Sequence, residues 1–350
     1  MTSKYTYKVI GVMSGTSLDG IDLAYVEFKK DAKWHFDILK CTTLPYTEKW
    51  KHILSKIHHQ SIEYIREIEK EYSKLLAKHI NDFIKTHALK PELICSHGHT
   101  IWHQPQKGIT LQIGDGATIK RLTHIPTVHD FRRKDVELGG QGAPLVPIGD
   151  HLLFKEYNYC LNLGGFSNIS FSKENKRLAF DICPVNMALN YFTNQIGLAF
   201  DKGGHMARQG QINSAMLDQL NKLSYYKKSA PKSLGKEWFE ASFLNVLKNY
   251  NDSIENHLRT LCEHIAIQIS HNLKEGYCLV SGGGVHNTFL MHCIQSHTKC
   301  QIVIPKAQLI DYKEALIFGL LGVLKLRNEV NCLASVTGAS RNSVGGVYVP

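Results

Sequence analysis

A glycine-rich segment at residues 11–22 constrains the fold of this chain more than any other feature. It joins two apolar runs, residues 7–10 and 21–28, and the second alternates apolar and polar positions as a half-buried strand does. Glycine allows a sharp turn and a close approach to a ligand. Successive N–H groups, with Ser and Thr hydroxyls, can surround one anion. The sequence predicts a β-hairpin, and its tip is either a phosphate-binding loop or an ordinary turn.

The same pattern returns later in the chain. Residues 157–163 predict a strand, 164–168 a polar glycine turn and 169–171 a returning strand, which suggests an internal duplication. Helical periodicity covers 46–88 and 253–274, and a further strand at 277–280 runs into a glycine turn at 281–287. The alternation predicts two α/β domains with mixed sheets, a cleft between them and ligands at the strand ends.

Length and composition narrow the class of protein. A chain of 350 residues favours roughly two domains. No apolar run approaches about 18 residues, so no transmembrane helix is expected, and the N-terminus lacks the apolar core of a secretory signal. Nine cysteines without a C-x-x-C pair favour reduced thiols in a cytoplasmic protein. The net charge of +10 comes without a nucleic-acid-binding motif, so it suits anionic small molecules, with no nucleic acid or membrane partner.

Nine motifs occur in one order along the chain. They are GVMSGTSLDGIDLAYVEF at 11–28, SHGHTIWH at 96–103, TLQIGDG at 110–116, DFRRKDVELGGQGAPLVP at 130–147, NLGGFSNIS at 162–170, FDICPVN at 180–186, PKSLGKEWF at 231–239, SGGGVHN at 281–287 and EALIFGLLG at 314–322. Together they resemble the anhydro-N-acetylmuramic acid kinases, which belong to the superfamily of sugar kinases, actin and heat-shock chaperone ATPases.

The resemblance implies a fold and an activity. The fold is α/β, with two ribonuclease-H-like (actin-like ATPase) domains whose mixed sheets flank an interdomain active-site cleft. The domains would comprise residues 1–129 with about 313–350, and residues 130–312. The activity is the ATP-dependent opening of the 1,6-anhydro ring of 1,6-anhydro-N-acetylmuramic acid with phosphorylation of O6, a step of peptidoglycan recycling. ATP and Mg²⁺ are the implied cofactors, and a homodimer is the implied assembly.

The resemblance also implies a set of ATP contacts. They lie in the first loop, the second hairpin and the last glycine turn: Gly15, Thr16, Ser17, Leu18, Asp19, Gly20, Ile21, Asp22, Gly164, Gly165, Gly282, Gly283, Gly284 and Asn287. The chain has neither a P-loop nor a dinucleotide-binding G-x-G-x-x-G between a first strand and helix. On the residues alone, 282–284 could equally be a tight strand-to-helix turn. Mg²⁺ is expected to be held largely by phosphates and waters, with Asp19 and Asp22 able to touch its water shell.

Asp181 is the expected general base. It follows an apolar run, so a strand end can hold its carboxylate rigidly where it takes a proton from the attacking water. Without the family context, a helix cap is the alternative. The family commonly reads D-T-G-P-G-N where this chain has D-I-C-P-V-N at 181–186, so Cys183 and Val185 replace glycines. Those two departures put the local loop conformation in doubt.

Three residues are expected to contact the sugar. The Arg132 guanidinium matches a lactyl carboxylate, and the resemblance adds Thr100 and Glu314. A surface ion pair for Arg132 and a solvated helix face for Glu314 are the alternatives. The three histidines of SHGHTIWH, at 97, 99 and 103, could contact sugar, pack or bind zinc, but no carboxylate or cysteine nearby completes a metal site, so no metal ligand is assigned.

Two further functions stay open. The departures at His99, Cys183 and Val185 leave room for a kinase of the same superfamily that acts on another amino sugar. A non-catalytic nucleotide-binding sensor could keep the fold, although a pure binder has no need for Asp181. The lysines of PKSLGKEWF could bring charge to the site, or the loop could dock through Trp238 and Phe239.

Overall fold

A computed structural model describes residues 5–15 and 18–350. Two of the expected ATP contacts, Thr16 and Ser17, lie outside the described residues. The chain forms two compact units, the first comprising Met1–Leu153 and Tyr312–Pro350 and the second Phe154–Asp311. Each unit is described by itself below.

The strands are, in chain order, Thr6–Ser14 (β1), Gly20–Lys30 (β2), Trp34–Pro45 (β3), Leu93–Ser96 (β4), His99–Gln104 (β5), Ile109–Ile113 (β6), Thr127–His129 (β7), Tyr159–Leu163 (β8), Phe166–Lys173 (β9), Lys176–Pro184 (β10), Tyr277–Ser281 (β11), Gln301–Val303 (β12) and Val347–Val349 (β13).

The helices are Glu48–Lys56 (α1), Ile62–His87 (α2), Gly116–Thr123 (α3), Arg133–Glu137 (α4), Val146–Leu153 (α5), Asn186–Thr193 (α6), His205–Gln209 (α7), Ser214–Asn221 (α8), Lys236–Trp238 (α9), Leu244–Lys248 (α10), Ile254–Ser270 (α11), Thr288–His297 (α12), Ala307–Leu326 (α13) and Ala334–Thr337 (α14). Among the described residues, no helix is both long and apolar enough to cross a membrane.

The first unit is built on a mixed six-stranded sheet with the order β13-β7-β4-β1-β2-β3. Its long strands β1, β2 and β3 are antiparallel, and β4 and β7 extend the sheet in parallel from β1. Because β1, β4 and β7 are parallel, the segments that follow them lie at one edge of the sheet. Three of the expected site segments, 15–22, 97–100 and 130–132, therefore follow strands that end at this edge.

The second unit repeats this arrangement. Its sheet has the order β10-β9-β8-β11-β12, with an antiparallel β8-β9-β10 meander and two parallel strands added beside β8. The order 3-2-1-4-5 is thus common to both units when the first five sheet strands of each are counted along the chain. The predicted α/β class with two mixed sheets is confirmed, and the shared order supports the predicted duplication.

Helix packing follows the apolar periodicity of the sequence. In α2, the buried positions Ile65, Tyr72, Leu76 and Ile80 are spaced four or seven residues apart and pack into the core of the first unit. Ser61 caps the start of this helix by accepting a hydrogen bond from the Tyr64 amide. In the second unit α11 has the predicted bounds to within a few residues.

Gly11 has a packing role rather than a role in the loop tip. A side chain at this position would collide with the main-chain carbonyl of Ala315 in α13, so glycine lets the helix lie directly on β1. Residues 130–153, assigned above to the second domain, pack with the first unit. Asp135 accepts from the Thr337 hydroxyl at 2.7 Å, and Lys313 pairs with Asp150 at 2.8 Å.

Candidate active site

The first hairpin tip joins β1 to β2. Leu18 has a left-handed backbone with a φ of 62°, and its amide donates to the Gly15 carbonyl at 3.4 Å. Asp19 is exposed, whereas Ile21 packs in the core opposite Leu44. Any contact of Ile21 with a ligand would therefore use its main chain. Through its described residues, the tip offers backbone groups and the exposed Asp19 carboxylate.

Asp22 is tied to the neighbouring strand. The Thr43 hydroxyl donates to its carboxylate at 2.6 Å, and the same hydroxyl lies 3.1 Å from the Tyr312 hydroxyl. Tyr312 has a non-helical conformation within α13, with φ of −114° and ψ of 15°. The structure thus brings Asp22 to the helix that carries Glu314.

The three histidines of the second motif have different environments. The His99 ring is buried and its Nδ1 lies 3.0 Å from the Ser14 hydroxyl, which also bonds Tyr46. Burial lowers the pKa of His99 to about 4. Gly98, with a φ of 75°, interrupts the extended backbone between His97 and His99, so these two histidines do not lie on one face of a single strand. His103 is exposed and bonds the Thr110 hydroxyl at 3.1 Å.

Arg132 is held from two sides. Its Nε donates to His97 Nε2 at 2.9 Å, and one terminal nitrogen donates to the Gly142 carbonyl at 2.7 Å. His97 Nδ1 lies 2.9 Å from the Gly98 carbonyl, to which it must donate, so Nε2 carries the lone pair that accepts from Arg132. Burial and the Arg132 charge lower the pKa of His97 well below its usual range. The ring is a neutral acceptor that orients the guanidinium.

Glu314 and Arg132 influence each other through charge. Glu314 is exposed, but desolvation by the surrounding protein raises its pKa, against the lowering effect of Arg132. Desolvation lowers the pKa of Arg132 to about 10, so it stays protonated at neutral pH, and Glu314 opposes that shift. Thr100 is half-buried, with its hydroxyl 3.5 Å from Gln112 Nε2. The expected sugar contacts Arg132 and Glu314 therefore belong to one electrostatic group.

In the second unit, the two glycine turns meet at one sheet edge. The strands β8 and β11 are parallel neighbours, so the turns that follow them lie side by side. A side chain on Gly282 would stand 2.8 Å from the Leu163 carbonyl oxygen, and one on Gly284 would stand 2.7 Å from Leu163 Cβ. Gly282 also has a φ of 87°, which favours glycine. The turn at Gly282–Gly284 therefore needs the absence of side chains to lie this close to Leu163.

The carbonyl groups of the second hairpin are already occupied. The Val185 and Met187 amides donate to the Gly165 carbonyl at 2.8 and 3.2 Å, and the Asn186 amide donates to the Gly164 carbonyl at 3.2 Å. The Gly165 amide donates to no other described residue. The turn therefore presents an N–H group, which is the polarity an anion requires.

Asn287 caps a helix. Its side-chain oxygen accepts from the Leu290 amide at 2.9 Å at the start of α12. The structural role of this side chain is therefore evident, and its amide nitrogen is the group left for a ligand.

Asp181 lies at the same edge of the second sheet, three residues before Pro184, which pairs with Phe166. One carboxylate oxygen, Oδ2, accepts from the Leu234 amide at 2.8 Å. The other, Oδ1, accepts no hydrogen bond from a described residue. Burial raises the pKa of the carboxyl, and the Leu234 hydrogen bond partly offsets the rise. The side chain caps no helix, so the cap alternative does not describe it.

The two departures from the family pattern are accommodated in the core. Cys183 and Val185 are fully buried, and neither has a positive φ. The Cys183 main chain exchanges hydrogen bonds with the Ser167 hydroxyl at 3.1 and 3.2 Å. Burial raises the pKa of the Cys183 thiol to about 12, so it is a poor nucleophile. Neither position therefore requires the positive φ that favours glycine, although Val185 has a φ of −121° and a ψ of −94°, outside the main helical and extended regions.

Sequence reasoning missed the partners of Asp181. Besides Leu234, the Tyr225 hydroxyl donates to the Asp181 main-chain carbonyl at 2.6 Å, and the Asp181 amide donates to the Lys232 carbonyl at 3.3 Å. The motif PKSLGKEWF contains this signal, but its sequence predicts only that the lysines bring charge to the site or that the loop docks through Trp238 and Phe239. The loop does pack through Trp238, whose ring lies 5.2 Å from that of Tyr225.

No group of three or more His, Cys, Asp or Glu side chains among residues 5–15 and 18–350 is arranged to hold a metal ion. His97 Nε2 is taken up by Arg132 and His99 Nδ1 lies against Ser14, which speaks against the zinc alternative for the SHGHTIWH histidines.

Comparison with known proteins gives one family. The sequence model described as anhydro-N-acetylmuramic acid kinase matches residues 7–350. The protein of that name from Mannheimia succiniciproducens is 35% identical over 97% of this chain and 98% of its own length. Its namesake from Vibrio vulnificus is 34% identical over the whole of both chains. Among solved structures, (R)-2-hydroxyglutaryl-CoA dehydratase component A from Acidaminococcus fermentans is 12% identical, with a TM-score of 0.45 over 90% of this chain and 96% of that one.

Proposed function

Because this chain belongs to the anhydro-N-acetylmuramic acid kinase family, we propose that it converts 1,6-anhydro-N-acetylmuramic acid, ATP and water to N-acetylmuramic acid 6-phosphate and ADP. The observation that carries the proposal is the Asp181 carboxylate. One oxygen is fixed by the Leu234 amide, and the other is available to a ligand.

The reaction needs one proton acceptor. Water attacks the anomeric carbon C1, and Asp181 Oδ1 takes the proton that the water loses. The C1–O6 bond breaks, and the released O6 attacks the γ-phosphorus of ATP, from which ADP leaves. The raised pKa of Asp181, caused by burial, makes its carboxylate a stronger base than that of an ordinary aspartate.

The phosphates would be bound by main-chain groups. The Gly165 amide and the turn at Gly282–Gly284 supply donors and close approach, which is what a triphosphate requires. We propose that Mg²⁺ arrives with ATP and is held mostly by phosphate oxygens and water. We propose that the carboxylates of Asp19, which is exposed, and of Asp22 contact that water shell.

The sugar would be recognised through its lactyl carboxylate. Arg132 keeps hydrogens on both terminal nitrogens after its bonds to His97 and Gly142, so it can still bind two carboxylate oxygens. Glu314 and Thr100 would accept and donate hydrogen bonds to sugar hydroxyls.

Three accompanying properties are proposed on the family resemblance: a homodimer, a role in peptidoglycan recycling and a cytoplasmic location. The nine cysteines, all of them free thiols, support the last of these.

The test is the variant Asp181→Asn, which keeps the shape and removes the base. We expect turnover of the anhydro-sugar to fall by about 10²-fold or more, since that is the contribution of a general base, while ATP binding measured by calorimetry is unchanged. Asp252→Asn is the matched control, because among the described residues this half-buried carboxylate bonds Asn213, Asn256 and the Ser253 amide and does not contact Asp181. Nearly full activity of Asp181→Asn would show that Asp181 is not the general base.

The same assay separates the alternatives. Mass spectrometry of the product shows whether one water and one phosphate have both been added to the anhydro-sugar. Phosphorylation of ordinary N-acetylmuramic acid alone would indicate a kinase for another amino sugar. Binding of nucleotide and sugar without any product would indicate a sensor.

A further inference from the structure

Asp181 is held at three atoms by two segments that are distant in the sequence. The Tyr225 hydroxyl donates to its carbonyl oxygen, the Lys232 carbonyl accepts from its amide, and the Leu234 amide donates to Oδ2. A strand residue at a sheet end ordinarily has its main-chain groups paired with a neighbouring strand or with water. Here part of that pairing comes from the PKSLGKEWF loop and from Tyr225.

Tyr225 is itself fixed by its surroundings. Its ring is buried, with the Lys232 ammonium 4.8 Å from the ring centre and the Trp238 ring 5.2 Å away on centroids. The same ammonium lies 5.5 Å from the ring centre of Phe180, the residue before Asp181. The Lys232 ammonium thus contacts both Phe180, in the strand that carries Asp181, and the Tyr225 ring, whose hydroxyl holds Asp181.

These contacts decide which carboxylate oxygen is available. With the main chain held on both sides and Oδ2 bonded to Leu234, the orientation of the side chain is restrained, and Oδ1 is the oxygen that accepts from no described residue. A misplacement of about 1 Å in a catalytic group can cost 10²-fold in rate. A device that fixes the orientation is therefore of direct kinetic value.

We infer that Tyr225, with Lys232 and Leu234, positions Asp181 so that Oδ1 is the oxygen that accepts the proton. The inference rests on the proposed function. It adds a positioning residue, Tyr225, to the reaction.

The test compares Tyr225→Phe with Tyr226→Phe. Both variants lose one hydroxyl from adjacent aromatic residues, but the Tyr226 hydroxyl bonds His264 Nε2 at 2.9 Å and does not touch Asp181. For Tyr225→Phe we expect kcat to fall about tenfold, the effect of one hydrogen bond, with both KM values nearly unchanged. For Tyr226→Phe we expect kcat near that of the wild type. An equal fall in kcat for the two variants would overturn the inference.

A second measurement asks whether Tyr225 acts through Asp181. In an Asp181→Asn background, Tyr225→Phe should cause no further loss of turnover, because residues that act as a unit are not additive. A full additional tenfold loss would mean that Tyr225 acts elsewhere.

A third measurement does not depend on activity. Carboxyl carbon NMR can follow the titration of Asp181, identified by its loss in Asp181→Asn. Loss of the Tyr225 hydroxyl releases the Asp181 main chain, which weakens the Leu234 hydrogen bond to Oδ2. The pKa of Asp181 should therefore rise in Tyr225→Phe and stay constant in Tyr226→Phe. If the wild type fails to phosphorylate the sugar, the proposed function fails, while this titration still supports or refutes the positioning role.

Discussion

The substitution Arg132→Lys tests how the sugar is recognised. Arginine keeps its position through bonds to His97 at 2.9 Å and Gly142 at 2.7 Å, and its two terminal nitrogens still have hydrogens for a carboxylate. Lysine keeps the charge but lacks the planar fork, so it retains at most one of the two hydrogen bonds to the ligand.

The expected magnitude follows from that lost bond. A hydrogen bond to a charged group contributes about 1.5–3 kcal/mol, so kcat/KM for the anhydro-sugar should fall about 10- to 150-fold. KM should carry most of the change and the KM for ATP none, because the carboxylate is remote from the reacting atoms.

The assay is ADP release over a range of sugar concentrations. Arg133→Lys is the matched control, since Arg133 is exposed and its Nε pairs with Asp130 at 2.9 Å. A second arm uses the anhydro-sugar without the lactyl group. The wild type should have a low kcat/KM for this sugar, and Arg132→Lys should have the same kcat/KM as the wild type. If both lysine variants behave alike, or if Arg132→Lys still discriminates between the sugars as the wild type does, Arg132 does not bind the carboxylate.

Two more outcomes are expected. Asp181 must be ionised to accept a proton, and burial raises its pKa above the ordinary 3.8, so kcat should decline on acidification at a higher pH than for an exposed aspartate; a profile that stays flat to about pH 4 would contradict this. Gly282→Ala should lower the free energy of unfolding by about 3 kcal/mol, because it adds a clash with the Leu163 carbonyl to an unfavourable φ. Gly197→Ala, with a φ of 75° but open space around it, should cost only about 1 kcal/mol, and equal urea midpoints for the two variants would refute the steric argument.

Much of the fold was predictable because its signals are local. Alternation in 21–28 and helical periodicity in 253–274 each report which face is buried, and the structure has β2 and α11 there. The order of strands within each sheet was not predictable in this way, since it depends on which edges pair across long stretches of sequence. The environment of residues 130–153 likewise depends on distant partners such as Thr337 and Lys313.

In the candidate site, too, local features could be predicted from the sequence and long-range partners could not. Asp181 could be predicted because a carboxylate that follows an apolar run is recognisable by its side-chain chemistry. The glycine turns could be predicted because a cluster of residues without side chains is equally recognisable. The Leu234 partner of Asp181 is a main-chain N–H group 53 residues away, and any residue except proline could supply it. His99 shows the converse, because a polar side chain in a motif proved to be buried against Ser14.

The amides at the start of α6 have a consequence for nucleotide binding. Because the Val185, Asn186 and Met187 amides hold the carbonyl groups of Gly164 and Gly165, the backbone of this turn is preorganised before any nucleotide arrives. Binding then loses little conformational entropy, so more of the interaction energy is expressed as affinity.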